Sequence, residues 1–144
     1  MRIYSCLMLL LATVTIAWAQ NEPCLAGIDT PECGIKITMN PPFSASDRVL
    51  WVPNEINIDV PLRLHAARVV LLSGPAGSAS ADAFKPVAEV KNYKKVEGNA
   101  RFKIQVKDCP GSDNAFEINI YSPRFPYPLT VNQQPFQCKQ GAPQ

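Results

Sequence analysis

Arg101-Phe102-Lys103-Ile104-Gln105-Val106-Lys107, followed after Asp108-Cys109-Pro110-Gly111-Ser112-Asp113-Asn114 by a run from Phe116-Glu117-Ile118 to Asn119-Ile120-Tyr121, decides the fold class. Both runs alternate apolar and polar residues, the period of a strand buried on one face and wet on the other. Joined by a Pro-Gly turn, they predict a β-hairpin, with Phe102, Ile104, Val106, Phe116, Ile118 and Ile120 on its dry face. No segment shows sustained apolar spacing at i, i+3, i+4 and i+7, so helices are expected to be few.

Upstream, Ile35-Lys36-Ile37-Thr38-Met39 alternates until Asn40-Pro41-Pro42 stops it, and Ile56-Asn57-Ile58-Asp59-Val60 alternates up to Pro61. Val49 to Val52 is an apolar run broken at Pro53, with Pro53-Asn54-Glu55 read as a turn or bulge. Arg68-Val69-Val70-Leu71-Leu72 is continuously apolar after Arg68, as in a strand buried on both faces. Residues 76–83 read as a flexible loop, 87–93 as an edge strand, and Leu129-Thr130-Val131 and Phe136-Gln137-Cys138 as short closing strands. About seven short strands at roughly ten-residue intervals predict an all-β, antiparallel, immunoglobulin-like β-sandwich, with a small β-barrel as the alternative. The fourteen prolines suit strand ends and protected edges.

Val49-Leu50-Trp51, the alternating 56–60 run, Val69-Val70-Leu71-Leu72-Ser73-Gly74 and Phe116-Glu117-Ile118-Asn119-Ile120-Tyr121-Ser122 together resemble the fungal secreted immunoglobulin-like domains associated with cell-wall glucan assembly. In that family a Trp opens one strand, an apolar strand ending Ser-Gly follows, and an alternating strand ending in Ser comes near the end. The likeness covers roughly residues 49–122 and rests on hydrophobic spacing. The chain departs from the family in lacking its Ser/Thr richness and its low cysteine content. What the resemblance implies is the fold, and little of the function.

Residues 1–19 read as a signal peptide: Arg2 is a positive n-region, Leu7 to Ile16 an apolar stretch shorter than the roughly 20 residues of a membrane span, and Ala17-Trp18-Ala19 a cleavage site. Its removal from the 144 residues leaves 125, and loss of Arg2 takes the basic count from 14 to 13 against 12 acidic residues, from +2 to +1. The expected destination is extracellular, with the periplasm as alternative. Beyond the signal, residues 20–34 form a Cys-containing N-terminal segment, 35–138 the sandwich and 139–144 a flexible tail.

Cleavage also removes Cys6, leaving Cys24, Cys33, Cys109 and Cys138. An even count in an exported chain predicts disulfides. Three pairings are open. The simplest joins Cys24 to Cys33 and Cys109 to Cys138, the latter tying the last two strands, and another joins Cys33 to Cys138 and Cys24 to Cys109. Zinc is disfavoured, since no two of these cysteines stand at C-x2-4-C spacing.

Little in the chain suggests catalysis, and no enzyme is expected. His65 is the only imidazole and no G-x-S-x-G supplies a nucleophile. A hydrolase would need two facing carboxylates from Asp47, Asp59, Asp82, Asp108 and Asp113, which turn chemistry and polar strand faces explain equally well. Asp108, Asp113 and Asn114 lack the spacing of a calcium loop, and Ser73-Gly74-Pro75-Ala76-Gly77-Ser78 lacks the Lys-Ser/Thr of a phosphate cradle. No metal and no cofactor is expected. Near-neutral charge and export argue against nucleic acid.

Two contact surfaces stand out. Arg101, Lys103 and Lys107 project from one strand, and Lys91, Lys94 and Lys95 join them if 87–93 pairs alongside, giving a basic patch for an anionic glycan, a lipid headgroup or an acidic protein; a solvated, aggregation-resistant face is the plain reading. Tyr121-Ser122-Pro123-Arg124-Phe125-Pro126-Tyr127-Pro128 offers Phe125 and Tyr127 on a stiff segment, as a contact surface or as a cap on the sandwich. The functions expected are a secreted binding module for a cell-surface or cell-wall glycan or a partner protein, as wall component or effector; alternatively a carrier of an apolar ligand between its sheets; and, less favoured, a small hydrolase.

Overall fold

The structure is a computed structural model that describes residues 24, 30–42, 48–75, 77, 81–109 and 114–141. The signal-peptide reading of residues 1–19 lies outside them, as do Asp47 and Asp113. Nine strands run through the described residues: β1 (Lys36–Asn40), β2 (Val49–Val52), β3 (Asn54–Pro61), β4 (Arg68–Pro75), β5 (Lys85–Val90), β6 (Lys94–Val96), β7 (Asn99–Val106), β8 (Asn114–Tyr121) and β9 (Leu129–Gln140). They form two sheets, ordered β1-β3-β7-β6 and β2-β9-β8-β4-β5. Strands consecutive in sequence are dealt between the layers as in an immunoglobulin domain with its first strand divided between the sheets. The second sheet is mixed rather than purely antiparallel, because β2 runs parallel to β9.

The predicted hairpin does not form. β7 pairs with β3, whereas β8 pairs with β4 and β9 in the opposite layer. Seven residues, 107–113, separate β7 from β8, more than the two to five of a hairpin loop and enough to cross the ~10 Å between packed sheets. Alternation identifies which residues face the core, and both strands obey it, but strands from opposing layers carry the same pattern as strands side by side.

Between the layers lies one core. Ile56, Ile58, Phe102, Ile104 and Leu64 from the first sheet side and Leu50, Leu71, Phe116, Ile118, Ile120 and Leu129 from the second are at most 1% exposed. Antibody domains join the counterparts of β3 and β8 by a disulfide; here Ile58 and Ile118 occupy those strands. The bridges are instead Cys24–Cys33 and Cys109–Cys138, the simplest of the three pairings. The second ties the crossing after β7 to β9, rather than two neighbouring strands.

Proline did not break the chain everywhere it was expected to. Only Pro53 separates β2 from β3, and β9 continues through the Pro135 region as one strand. β5 ends at Val90 and pairs with β4, and the three-residue β6 was not foreseen. Gly74 permits one close approach: a Cβ there would stand 2.9 Å from the Ala83 carbonyl oxygen and the Phe84 ring, so only glycine lets 81–84 lie down on β4.

Buried Asn54 organises the place where the chain passes from the first sheet to the second. Its Oδ1 accepts from the Asn40 N–H at 3.2 Å, and its Nδ2 donates to the carbonyls of Pro41 (2.9 Å) and Trp51 (2.8 Å). At the other end Ser122 Oγ donates to the Leu64 carbonyl and accepts from the Arg124 N–H, joining the β3–β4 connection to the β8–β9 connection. Removing three partners from buried backbone groups is costly. Asn54→Ala is expected to lose about 2–4 kcal/mol in urea unfolding, while Asn92→Ala, on an exposed connection, changes stability by less than about 0.5 kcal/mol.

Candidate functional site

The outer face of the first sheet carries the site. Register places Lys36 opposite Asp59, Asp59 opposite Arg101 and Arg101 opposite Lys94, one rung crossing all four strands. Asp59 receives Arg101 Nε–H at 2.7 Å and Nη2–H at 2.8 Å, a bidentate pair. These hydrogen bonds, and then the charge of Asp59, raise the guanidinium above its ordinary value. On the neighbouring rungs Lys103 Nζ reaches diagonally to Glu55 at 3.3 Å.

Just before β6 the chain joins the sheet, and Tyr93 lays its ring against Phe102 with centroids 5.3 Å apart, remaining 44% exposed. The incoming segment and the sheet border a half-open groove of about 700 Å³. β3 and β7 contribute Glu55, Asn57, Arg101 and Lys103 to it, β6 contributes Lys94 and Val96, and the segment before β6 contributes Asn92 and Tyr93. Asn57 Oδ1 is buried there with no hydrogen-bond partner.

Of the six predicted basic residues, the structure brings three to this groove: Lys94, Arg101 and Lys103. Lys94 arrives through β6, not through pairing of 87–93 with β7. Lys95, opposite Ala100, has the other parity. Lys91 lies beside Glu89 at 3.6 Å, which Arg68 also approaches at 3.6 Å. Lys107 stands past the far end of β7, at a second cavity of about 250 Å³ with Asn54 and Gln105. Two of the three groove cations are matched by carboxylates, so the face is a charge-paired ladder more than a basic patch.

The aromatic pair is divided. Phe125 is buried in the core, capping the sandwich, while Tyr127 is 73% exposed in the β8–β9 connection and does not line the groove. A turn closed by Phe125 N–H on the Ser122 carbonyl sets this arrangement. Sequence reasoning missed Glu55, Asn57, Asn92 and Tyr93, and weighed Asp59 only as a possible acid catalyst. Opposite charges at outward positions of two alternating strands, Asp59 and Arg101, were the available signal.

Other candidates lie apart from one another. Asp59 is held by Arg101, Asp82 is exposed on a short turn and Asp108 accepts from Gln140 at 3.1 Å. His65 is exposed at the end of a 3-10 turn with φ 52°. Among the described residues no three His, Cys, Asp or Glu side chains cluster as metal ligands, and no helix is long and apolar enough to cross a membrane. Neither of the two cavities described lies between the sheets.

No family model, curated protein or solved structure matches the chain.

The opposite sheet's outer face carries a different arrangement. Arg68 stacks 3.9 Å over the Tyr121 ring. Glu117 is half-buried beside Thr130 and Asn119, whose amide, turned with nitrogen toward Glu117 Oε1, lies at 3.2 Å. Burial raises the Glu117 pKa, and the Thr130 hydrogen bond only partly offsets this. A carboxyl raised in the native state holds its proton longer there than when unfolded. Its ionisation therefore removes stability as pH rises from the ordinary carboxylate range through the native value. Glu117→Gln is expected to raise the melting temperature by about 1–4 °C at neutral pH and to give no gain in acid below the carboxylate range, read by calorimetry at both.

Proposed function

We propose that this protein is a secreted, non-enzymatic β-sandwich that binds glycan chains of a cell surface or cell wall in the groove beside β6. The observation that carries the reading is Tyr93. Its ring packs against Phe102 and stays partly exposed, and the residue lines the same groove as Asn92, Asn57 and Arg101. A fixed ring gives a pyranose an apolar platform at small entropic cost, and amide and guanidinium groups beside it are suited to hydroxyls. Half-open shape suits a chain that enters and leaves, rather than a small molecule enclosed.

Export is supported by the signal-like residues 1–19 and by two disulfides, which persist in oxidising compartments. Association with wall assembly is what the resemblance over residues 49–122 would add.

Tyr93→Leu keeps an apolar cover on Phe102 while removing the ring. Its melting temperature is expected to stay within about 4 °C of the parent, while retention on insoluble cell-wall polysaccharide falls at least about tenfold. Equal retention of parent and variant, or none of the parent on any wall polysaccharide, overturns the reading.

A further inference from the structure

The groove holds more unspent donors than acceptors. The two carboxylates of β3 on this face are engaged, Asp59 by Arg101 and Glu55 by Lys103, and a third, Glu97 on the β6–β7 turn, is near enough to act on Arg101 through its charge. Its cations are not used up. Arg101 commits Nε and Nη2 to Asp59 and keeps its Nη1 hydrogens. Lys94, opposite Arg101 on β6, makes no ion pair among the described residues. Asn57 Oδ1 also has no partner, since Lys103, directly across the ladder, is turned to Glu55, but it is buried and shielded from a ligand in the groove.

We propose that the groove selects acidic sugars, hexuronate residues whose carboxylate is received by Lys94 Nζ and Arg101 Nη1. This rests on the glycan reading above and deepens it. A neutral sugar leaves two cationic donors partly desolvated without an acceptor, and sites built around such donors reject ligands that lack the matching group. A carboxylate on a pyranose answers both donors and leaves the sugar ring to lie along the groove lined by Asn92 and Tyr93. The Asp59 bond fixes the Arg101 plane before ligand arrives, so the anion site is preorganised on β7 rather than assembled from mobile side chains.

The test is calorimetric titration of the full mature chain with oligogalacturonate and oligoglucuronate, with the carboxyl-reduced form of each, and with a neutral β-glucan oligosaccharide. At least one acid is expected to bind about tenfold or more tighter than its carboxyl-reduced form, with that preference weakened by salt. Lys94→Gln is expected to abolish the preference while retaining binding of the neutral form; Lys95→Gln, on the other parity of the same strand, keeps the preference. Equal binding of acid and reduced forms overturns the proposal and leaves the glycan reading standing. A preference that survives Lys94→Gln overturns the assigned site. Absence of binding to every oligosaccharide overturns both.

Discussion

The ladder between β3 and β7 sets the two sides of the molecule at once. Its register, from Asn54 opposite Val106 to Pro61 opposite Asn99, places Ile56 against Ile104 and Ile58 against Phe102 on the inside. The same pairing places Asp59 against Arg101 and Asn57 against Lys103 on the outside. Because side chains alternate strictly, a slip of one residue would turn the ionic set into the core and the apolar set into water. Burial of four large apolar side chains, each contributing on the order of 1.5–3 kcal/mol, thus aligns the groove without any requirement from the groove itself. Asn54 fixes one end of the ladder, and the Leu62 N–H on the Gly98 carbonyl at 3.0 Å closes the other.

Much of this was legible in the residues. The alternation of 56–60, 101–107 and 116–121 identified the core positions, and the local disulfide was the simplest pairing. Partner choice was not legible, because the side-chain period of a strand reports a face and carries no information about its neighbour. That is why 101–107 and 116–121 look like a hairpin yet belong to opposite layers. β6 escaped notice for a related reason: Lys94-Lys95-Val96 is too short to show a period, and only pairing with β7 makes it a strand.

The candidate site divides in the same way. Lys94, Arg101 and Lys103 could be suspected from their charge, but the partner of Arg101 stands 42 residues earlier, and only the β3–β7 register unites them. Neutralisation of two of the three cations therefore depends on long-range pairing. Tyr93 comes to line the groove through the point at which the chain joins the sheet, a tertiary event with no local signature. Phe125 and Tyr127 were equivalent in sequence, and one turn at Ser122 sends the first inward and leaves the second in solvent.

The Cys109–Cys138 bridge spans 29 residues and closes a covalent circuit that contains all of β8, the 122–128 connection and most of β9. Arg124 and Tyr127 offer cleavage points on the outside of that circuit. A single cut there leaves both pieces linked through the bridge and zipped along the β8–β9 ladder. A protease that cuts there converts one chain into two without releasing either, and the groove lies on the other sheet, away from the cut.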